Sequence, residues 1–401
     1  MTSARDAGGR PAGGAVAGLW LLVGTPPFVM DIILPAQPAI GAALGGTALE
    51  IQWIVTAMLV GYGGGQIPFG IATDRWGRRP VAALSVALVC LGGLLALLAD
   101  EMTAVLAGRL LQGLGAAGAG VTARAFARDM GPEGLPRLMS GMIAFLTAMT
   151  VLAPILGGLA LSLAGWRLVV GLTVIYGLAG GLLLFMNLHD TAFPASQRTV
   201  TPLAQLRSNW RAMMAHRACR MGLSLVALSY AGYFTFISQG STVAVNDYGL
   251  APGLYGLLFA IPATANVSMA LLNRRLVAHF GAARLLMAGA LIQALGGGCL
   301  LMLAMVEGAG LPALWAAITL SIGGQGLLFP NATTIVLQPL PEAAGFGASI
   351  MGSLQVGAGI VASALAAALY DGGHAVLAVI MGAPGVLMLA ILVIYRRELR
   401  A

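Results

Sequence analysis

The chain has 401 residues, of which 59% are hydrophobic and only 9% charged, and its mean hydropathy is +0.90. A water-soluble fold of this length cannot bury so much apolar surface, so the composition excludes a soluble globular protein and predicts an integral membrane protein. The 21 basic residues outnumber the 14 acidic ones, which gives a formal net charge of +7.

Apolar runs long enough to cross a bilayer follow one another along the chain. A transmembrane helix needs roughly 20 mainly apolar residues. About twelve such runs, called spans 1 to 12, lie between charged or Pro/Gly-rich breaks. Their residues are 15–40, 51–72, 80–99, 102–125, 137–164, 166–188, 218–241, 253–273, 284–305, 311–337, 345–370 and 374–395. The sequence therefore predicts an all-α membrane protein with twelve transmembrane helices.

The arginines indicate how these helices are oriented. If both termini are cytoplasmic, nearly all arginines outside the spans lie in inner loops or tails, and only Arg167 lies in an outer loop. Positive charge accumulates on the cytoplasmic side of membrane proteins. The net charge is thus a topology signal and not a sign of nucleic-acid binding. We expect a multi-pass membrane protein with both termini cytoplasmic.

A polar stretch divides the spans six and six, and the two halves carry a weak internal repeat. Trp76-Gly77 can be laid over Phe280-Gly281, at an offset of about half the chain. This pattern predicts two pseudo-symmetric six-helix bundles. The predicted organisation is a disordered tail at 1–14, an N-terminal bundle at 15–188, a cytoplasmic linker at 189–217, a C-terminal bundle at 218–395 and a cytoplasmic tail at 396–401.

Two charged residues within the predicted membrane interior are candidates for proton coupling. Asp31 is the only acid well inside a span, and an ionisable group there costs a few kcal/mol on insertion, which marks it as functional. A rise of 1.5 Å per residue places Asp31 about 20 Å along span 1 and Arg109 roughly 10 Å along span 4 from the other face. The two side chains are therefore predicted at similar depth, where they could pair.

Two interpretations of such a pair remain. A carboxylate beside a desolvated arginine favours its ionised form, whereas one that loses the arginine in an apolar cavity favours its protonated form. Switching between these states would load and release a proton. The alternative is a static ion pair that orients spans 1 and 4. We favour coupling, because a buried ion pair is a poor device for stability.

The turn between spans 2 and 3 concentrates charge and glycine, and Asp129 follows span 4. A charge cluster of Asp74, Arg78 and Asp129 at the inner end of the helices would act as a gate. Anchoring by positive charge alone explains the arginines, but it requires neither the acid nor the glycines. The candidate gating residues here are Gly70, Asp74, Arg75, Gly77, Arg78, Arg79 and Asp129.

Span 5 adds Pro154, Gly157 and Gly158 to the gating candidates. The proline removes a backbone hydrogen bond, and the glycines leave a smooth surface for a neighbouring helix. This suits a bending or sliding contact. Ordinary packing of a glycine-rich helix is the alternative, in a chain with 57 glycines.

Aromatic, methionine and amide side chains within the spans are candidates for lining a substrate cavity. Aromatic rings and flexible methionines offer adaptable apolar contacts, which suits a broad range of substrates. The alternative for each is packing or contact with lipid. The candidates are Tyr62, Met142, Phe145, Met149, Tyr230, Tyr233, Phe234, Gln239, Asn266, Gln325, Phe329 and Asn331.

Several of these patterns resemble one family. The sequence Gly70-Ile-Ala-Thr-Asp74-Arg75-Trp76-Gly77-Arg78-Arg79 resembles the loop signature of the major facilitator superfamily. Asp31-Ile-Ile-Leu-Pro35, Gly108-Arg109-Leu-Leu-Gln112-Gly113 and Ala153-Pro154-Ile-Leu-Gly157-Gly158 are similar to elements of its drug:proton antiporters, of the bicyclomycin/chloramphenicol-resistance type. Met58 departs from this pattern, since an aromatic residue is expected there, which puts the substrate range in question.

The resemblance implies a proton-coupled multidrug efflux antiporter of the bacterial inner membrane that works by alternating access. Asp31 would carry the proton, Arg109 would modulate it, and the turn between spans 2 and 3 would gate. The expected partners are a small amphipathic substrate such as a phenicol, protons and the lipid bilayer. We expect a monomer that needs no cofactor, since the proton gradient drives it, and no metal site, because the four histidines are scattered.

Other functions stay open, among them an uncoupled channel, which would leave Asp31 unexplained. The same fold could export one endogenous metabolite, such as a siderophore or a sugar, and a cavity lined by many polar groups would favour that. A membrane-embedded enzyme or a signalling protein is the rival from another class. Neither a convergent catalytic cluster nor a Walker-type phosphate loop is visible in the sequence, so we expect no enzymatic activity.

Overall fold

The computed structural model describes residues 13–129, 135–187, 203–339 and 344–395, and every regular element in these ranges is helical. Of these helices, 11 are long and apolar enough to cross a membrane. One of them contains two spans, because Ala164 and Gly165 leave the helical conformation in its middle. The break lies between predicted spans 5 and 6. The protein is thus an all-α, multi-pass membrane protein.

The helices fall into two compact units. The first comprises Met1–Thr199 with Ala251–Leu257, and the second Val200–Leu250 with Leu258–Ala401. The first unit contains α1 (Gly13–Asp31), α2 (Gln37–Leu44), α3 (Ala48–Trp76), α4 (Arg78–Leu97), α5 (Met102–Asp129) and α6 (Leu135–Asn187). The second contains α7 (Leu203–Ala215), α8 (Arg217–Thr242), most of α9 (Tyr255–Phe280), α10 (Ala282–Ala304), α11 (Leu311–Leu337), α12 (Ala344–Leu369) and α13 (Ala375–Ile394).

Span 1 is broken, whereas the sequence predicted one continuous helix over 15–40. The helix α1 ends at Asp31, a 3₁₀ turn covers Leu34–Ala36, and α2 follows. Pro35 explains the break, because proline has no N–H to donate and disfavours the helical conformation of the residue before it. Asp31 therefore occupies the last position of α1 inside a membrane span, next to a discontinuity.

The turn between spans 2 and 3 is shorter than predicted. The helix α3 continues through Asp74 to Trp76, and α4 begins at Arg78, so that Gly77 alone separates them. Gly77 has φ 95° and ψ 169°, a conformation that is essentially restricted to glycine. Gly281, its partner in the internal repeat, has φ 77° and ψ 160° and likewise precedes a helix, α10.

The predicted linker at 189–217 is partly helical. Residues 203–215 form α7, and α8 already begins at Arg217. The fully buried side chain of Met213 fixes α7 to the apolar core of the second unit, which also contains Cys219 and Leu286. Residues 188–202, most of the predicted N-terminal tail and the predicted C-terminal tail lie outside the described residues.

Glycines set the distances between helices in the first unit. A Cβ at Gly61 of α3 would overlap the carbonyl oxygen of Leu110, and a Cβ at Gly113 of α5 would overlap that of Met58. Small residues at such contacts let helix backbones approach closely. The helices α3 and α5 therefore touch along the stretch that carries Arg109.

Candidate functional site

Asp31 lies in the interior of the first unit. Its residue is 2% exposed, and its carboxylate makes no hydrogen bond or ion pair with any residue that the structure describes. A negative charge is unfavourable at the C-terminal end of a helix, and Asp31 is the last residue of α1. An ionised carboxylate at this position needs a nearby positive charge.

Arg109 supplies that charge without a direct ion pair. Its guanidinium is fully buried and acts electrostatically on Asp31. Its N–H groups are instead taken by other acceptors: the Val29 carbonyl at 3.0 Å, the Ile54 carbonyl at 3.3 Å, Gln112 Oε1 at 2.8 Å and Met58 Sδ at 2.7 Å. The pairing considered from the sequence is thus absent from this structure, because these acceptors hold the guanidinium at the end of α1.

Gln112 and Thr173 form a hydrogen-bonded chain that ends on Arg109, and no sequence pattern had indicated a role for either of them. Gln112 accepts from Arg109 and donates from Nε2 to Thr173 Oγ1 at 2.8 Å, while the Thr173 hydroxyl donates to the Val170 carbonyl at 2.7 Å. Gln112 stands three residues after Arg109 on α5, a spacing that puts both on one helix face. That spacing was a usable signal, whereas nothing local pointed to Thr173 on α6.

The glycines of span 5 lie against the discontinuity that follows Asp31. A Cβ at Gly157 would overlap the Ile32 carbonyl, and one at Gly158 would overlap the Gly253 carbonyl. A Cβ at Gly256 would likewise overlap the Pro154 carbonyl. The overlaps are of the same size as those at Gly61 and Gly113, and a side chain at Gly157 would displace the backbone next to Asp31.

The charges around Gly77 form one cluster. Arg78 Nη1 lies 2.9 Å from Asp74 Oδ1, and Arg78 Nε lies 2.9 Å from Asp129 Oδ2. The same guanidinium donates to the Thr73 carbonyl at 2.6 Å. The side chains of Arg78 and Asp129 are 8% and 10% exposed, whereas that of Asp74 is 62% exposed. Arg78 thus ties the end of α3 to the end of α5.

The other residues of this turn have separate environments. Arg79 donates to the Phe185 carbonyl at 3.3 Å and lies over the Phe185 ring, 5.4 Å from its centroid. Arg75 is exposed. A Cβ added at Gly70 would meet no described atom within 4 Å, so packing in the described structure does not require glycine there.

The cavity candidates of the first unit differ in burial. Met142 is 1% exposed and belongs to the apolar core with Leu19 and Phe126, so its burial favours a packing role. Tyr62, Phe145 and Met149 are half-buried. Phe145 stacks on Trp20, with 6.0 Å between the ring centroids.

In the second unit the aromatic candidates lie together. The ring of Tyr230 is 5.9 Å from that of Tyr233, 6.0 Å from that of Phe234 and 5.5 Å from that of Phe329. Phe329 stands on α11, whereas the other three are on α8. These four rings form an apolar cluster with three half-buried members.

The amide candidates of the second unit are held mainly by protein groups. Gln239 is fully buried and donates to the Ala366 carbonyl at 2.7 Å. Asn331 donates to Asn273 Oδ1 at 2.6 Å, and its residue is 1% exposed. Asn266 donates to the Ile322 carbonyl at 3.0 Å and to Gln325 Oε1 at 3.4 Å. The burial of Gln239 and Asn331 favours structural roles for both.

Fold and site together define a helical membrane transporter, and comparison with known proteins identifies its family. Residues 19–363 and 222–401 match the Major Facilitator Superfamily, so the chain belongs to that family. It is 26% identical to a bicyclomycin resistance protein homolog of Haemophilus influenzae, over 88% of each chain. It is also 26% identical to multidrug resistance protein D of Escherichia coli, over 92% of each chain.

A solved structure supports the fold. The xylose transporter XylE from E. coli, in a partially occluded inward-open conformation, superimposes with a TM-score of 0.70. The match covers 95% of this chain and 97% of that one at 14% identity. At this identity the likeness concerns the fold alone.

The Gln112–Thr173 contact leads to a first prediction. Replacing Thr173 with valine keeps the shape of the side chain but leaves the buried Gln112 amide without this acceptor. Because an unsatisfied buried donor costs about 1–3 kcal/mol, we expect a lower unfolding free energy by that amount. Thermal unfolding of the purified protein in detergent measures it. Thr150→Val is the control, since the Thr150 hydroxyl donates within its own helix, to Leu146. Equal melting temperatures for the two variants would contradict the assigned contact.

The charge cluster leads to a second prediction. Arg78→Gln removes both ion pairs and the contact with the Thr73 carbonyl, so we expect a loss of about 1–3 kcal/mol in unfolding free energy. Arg75→Gln removes an equal charge from an exposed side chain a few positions away and should change stability by less than about 0.5 kcal/mol. Thermal unfolding at low and high salt distinguishes the two. A similar, small effect of both substitutions would show that the cluster does not stabilise the helix ends.

Proposed function

We propose that this protein is a proton-coupled efflux antiporter that exports small amphipathic compounds from the bacterial cytoplasm by alternating access. The observation that carries the proposal is the buried Asp31 carboxylate at the end of α1, within the field of Arg109 but not bound to it. An ionisable side chain held in this way inside a membrane protein is expensive and is best explained by a functional role.

The proposed cycle follows from the two states of this carboxylate. Substrate enters from the cytoplasm, Asp31 releases its proton, and the conformation changes so that substrate leaves on the outside while a proton returns to Asp31. Arg109 stabilises the ionised form, and its acceptors at Val29 and Ile54 fix its distance from the carboxylate. The cluster of Asp74, Arg78 and Asp129 is the proposed gate, together with the packed glycines of α6.

Neutral or weakly charged drugs, such as phenicols, are the substrates that we propose. A single buried carboxylate gives about one proton per cycle and no preference for multivalent cations. The curated relatives named for bicyclomycin and multidrug resistance support this reading. The aromatic cluster of the second unit offers the apolar surface that such molecules need. We further propose a monomer in the inner membrane with cytoplasmic termini, driven by the proton gradient without a cofactor and without nucleic-acid partners.

A dedicated exporter of a polar metabolite is the second candidate. The amide side chains of Asn266 and Gln325 lie together on α9 and α11, and hydrogen-bonding groups of this kind suit a sugar or a siderophore. Substrate range separates the two candidates, because a metabolite exporter should respond to one compound and a multidrug exporter to several.

Proton flux tests the proposal. In proteoliposomes with an internal pH dye, phenicols, fluoroquinolones and lipophilic cations should drive proton movement through the wild-type protein. Asp31→Asn should abolish it, because the amide cannot carry a proton through the cycle. Asp100→Asn is the matched control, since the Asp100 side chain is 95% exposed. Failure of every drug in the wild type would reject the multidrug proposal in favour of the metabolite exporter.

A further inference from the structure

The start of α9 belongs to the first unit, although it follows α8 in the chain. Residues Ala251–Leu257 cluster with the first unit. The 3₁₀ turn Pro252–Leu254 packs against α6 and against the turn Leu34–Ala36 that follows Asp31. Two glycine contacts fix the segment on α6: Gly253 touches Gly158, and Gly256 touches the Pro154 carbonyl. A Cβ at Gly158 would overlap the Gly253 carbonyl, and a Cβ at Gly256 would overlap the Pro154 carbonyl.

Tyr255 stands between these two glycines, and the packing brings it into the neighbourhood of Asp31. Its side chain is among the largest fully buried ones that the structure describes. The Asp31 charge acts on its hydroxyl electrostatically. The 3₁₀ turn directly before Tyr255 contacts the 3₁₀ turn shortly after Asp31, which agrees with that interaction.

Asp31 has a specific need that Tyr255 can meet. A buried carboxylate requires hydrogen-bond donors when it is ionised. Arg109 offers charge, but four hydrogen bonds to other acceptors already engage its guanidinium. A phenolic O–H remains protonated across the physiological pH range and is a suitable donor to a carboxylate.

From this geometry we propose that Tyr255 is a coupling residue, which donates a hydrogen bond from its hydroxyl to Asp31 when that side chain is ionised and withdraws it when Asp31 is protonated. The proposal rests on the proposed function, in which Asp31 carries the proton. Tyr255 keeps its own proton throughout, and only Asp31 is protonated and deprotonated. The helix α9 begins at Tyr255 and continues into the second unit. A hydrogen bond that depends on the protonation state of Asp31 would therefore act on a helix that both units share.

Infrared spectroscopy of the purified protein tests the proposal without requiring transport. The carbonyl stretching band of the protonated Asp31 side chain is identified by its loss in Asp31→Asn, and its intensity is followed with pH. Tyr255→Phe removes only the hydroxyl oxygen and keeps the ring. Because a hydrogen bond to a charged group stabilises that group, its loss should move the midpoint of the Asp31 titration upward by about one pH unit.

Tyr176→Phe is the matched control. Tyr176 is a partly buried tyrosine of the same unit whose hydroxyl donates to the Leu21 carbonyl at 2.8 Å. Its replacement should leave the Asp31 midpoint unchanged. In the Asp31→Asn background, Tyr255→Phe should no longer alter the pH dependence of the melting temperature, because the proposed acceptor is then neutral at every pH.

The outcomes separate this proposal from the proposed function. An Asp31 band that titrates identically in the wild type and in Tyr255→Phe overturns the role of Tyr255 and leaves Asp31 as the proton carrier. A wild-type protein with no titrating Asp31 band overturns both. An equal shift in Tyr176→Phe would mean that the effect is a general response to a lost hydroxyl, which also rejects the proposal.

Discussion

The burial of one carboxylate at a broken helix is the constraint on which the first unit depends. Apolar surroundings do not stabilise an ionised Asp31 side chain. Its position at the end of α1 destabilises the negative charge further, because the helix dipole is negative there. The surrounding structure compensates in an indirect way. Arg109 lies close enough to act on the Asp31 charge, yet its N–H groups donate to backbone carbonyls, Gln112 and Met58. A tight ion pair would hold the carboxylate in its ionised state, whereas the proposed proton coupling needs a carboxylate that can change its protonation state.

Close helix contacts make that arrangement possible. The approach of α3 to α5 at Gly61 and Gly113 brings the Ile54 carbonyl within reach of Arg109. The approach of α6 at Gly157 supports the backbone just after Asp31. These glycines are therefore part of the electrostatic site, although they carry no charge. A small change in helix spacing would alter the distance between Arg109 and Asp31, and a change of this kind would serve the proposed alternating access.

The sequence predicted the fold and located the charged residues because their signals are local. Apolar runs define the spans, the break between spans 5 and 6 falls at Ala164 and Gly165, and an acid inside a span stands out by its cost. The helix interruption at Pro35 was also encoded locally, but a long apolar run concealed it. The short spacing from Arg109 to Gln112 could also be read from the sequence, and it indicates that both side chains lie on one helix face.

What the sequence could not show depends on residues far apart in the chain. Thr173 is 61 positions from Gln112, and Tyr255 is far from Asp31, so no periodicity relates them. The absence of an ion pair between Asp31 and Arg109 depends on which acceptors packing brings to the guanidinium, and not on the depth of either residue. Similar depth was a sound expectation, but it did not determine contact.

In the proposed cycle, substrate binding and Asp31 protonation exclude one another, and proton release on substrate binding measures this exclusion. Adding a phenicol to the purified wild-type protein in weakly buffered detergent solution should release about one proton per bound molecule, measured with a pH indicator dye, since the linkage is reciprocal. Asp31→Asn should bind the drug and release none. Binding without proton release in the wild type, or equal release from both proteins, would show that Asp31 protonation is not linked to substrate binding.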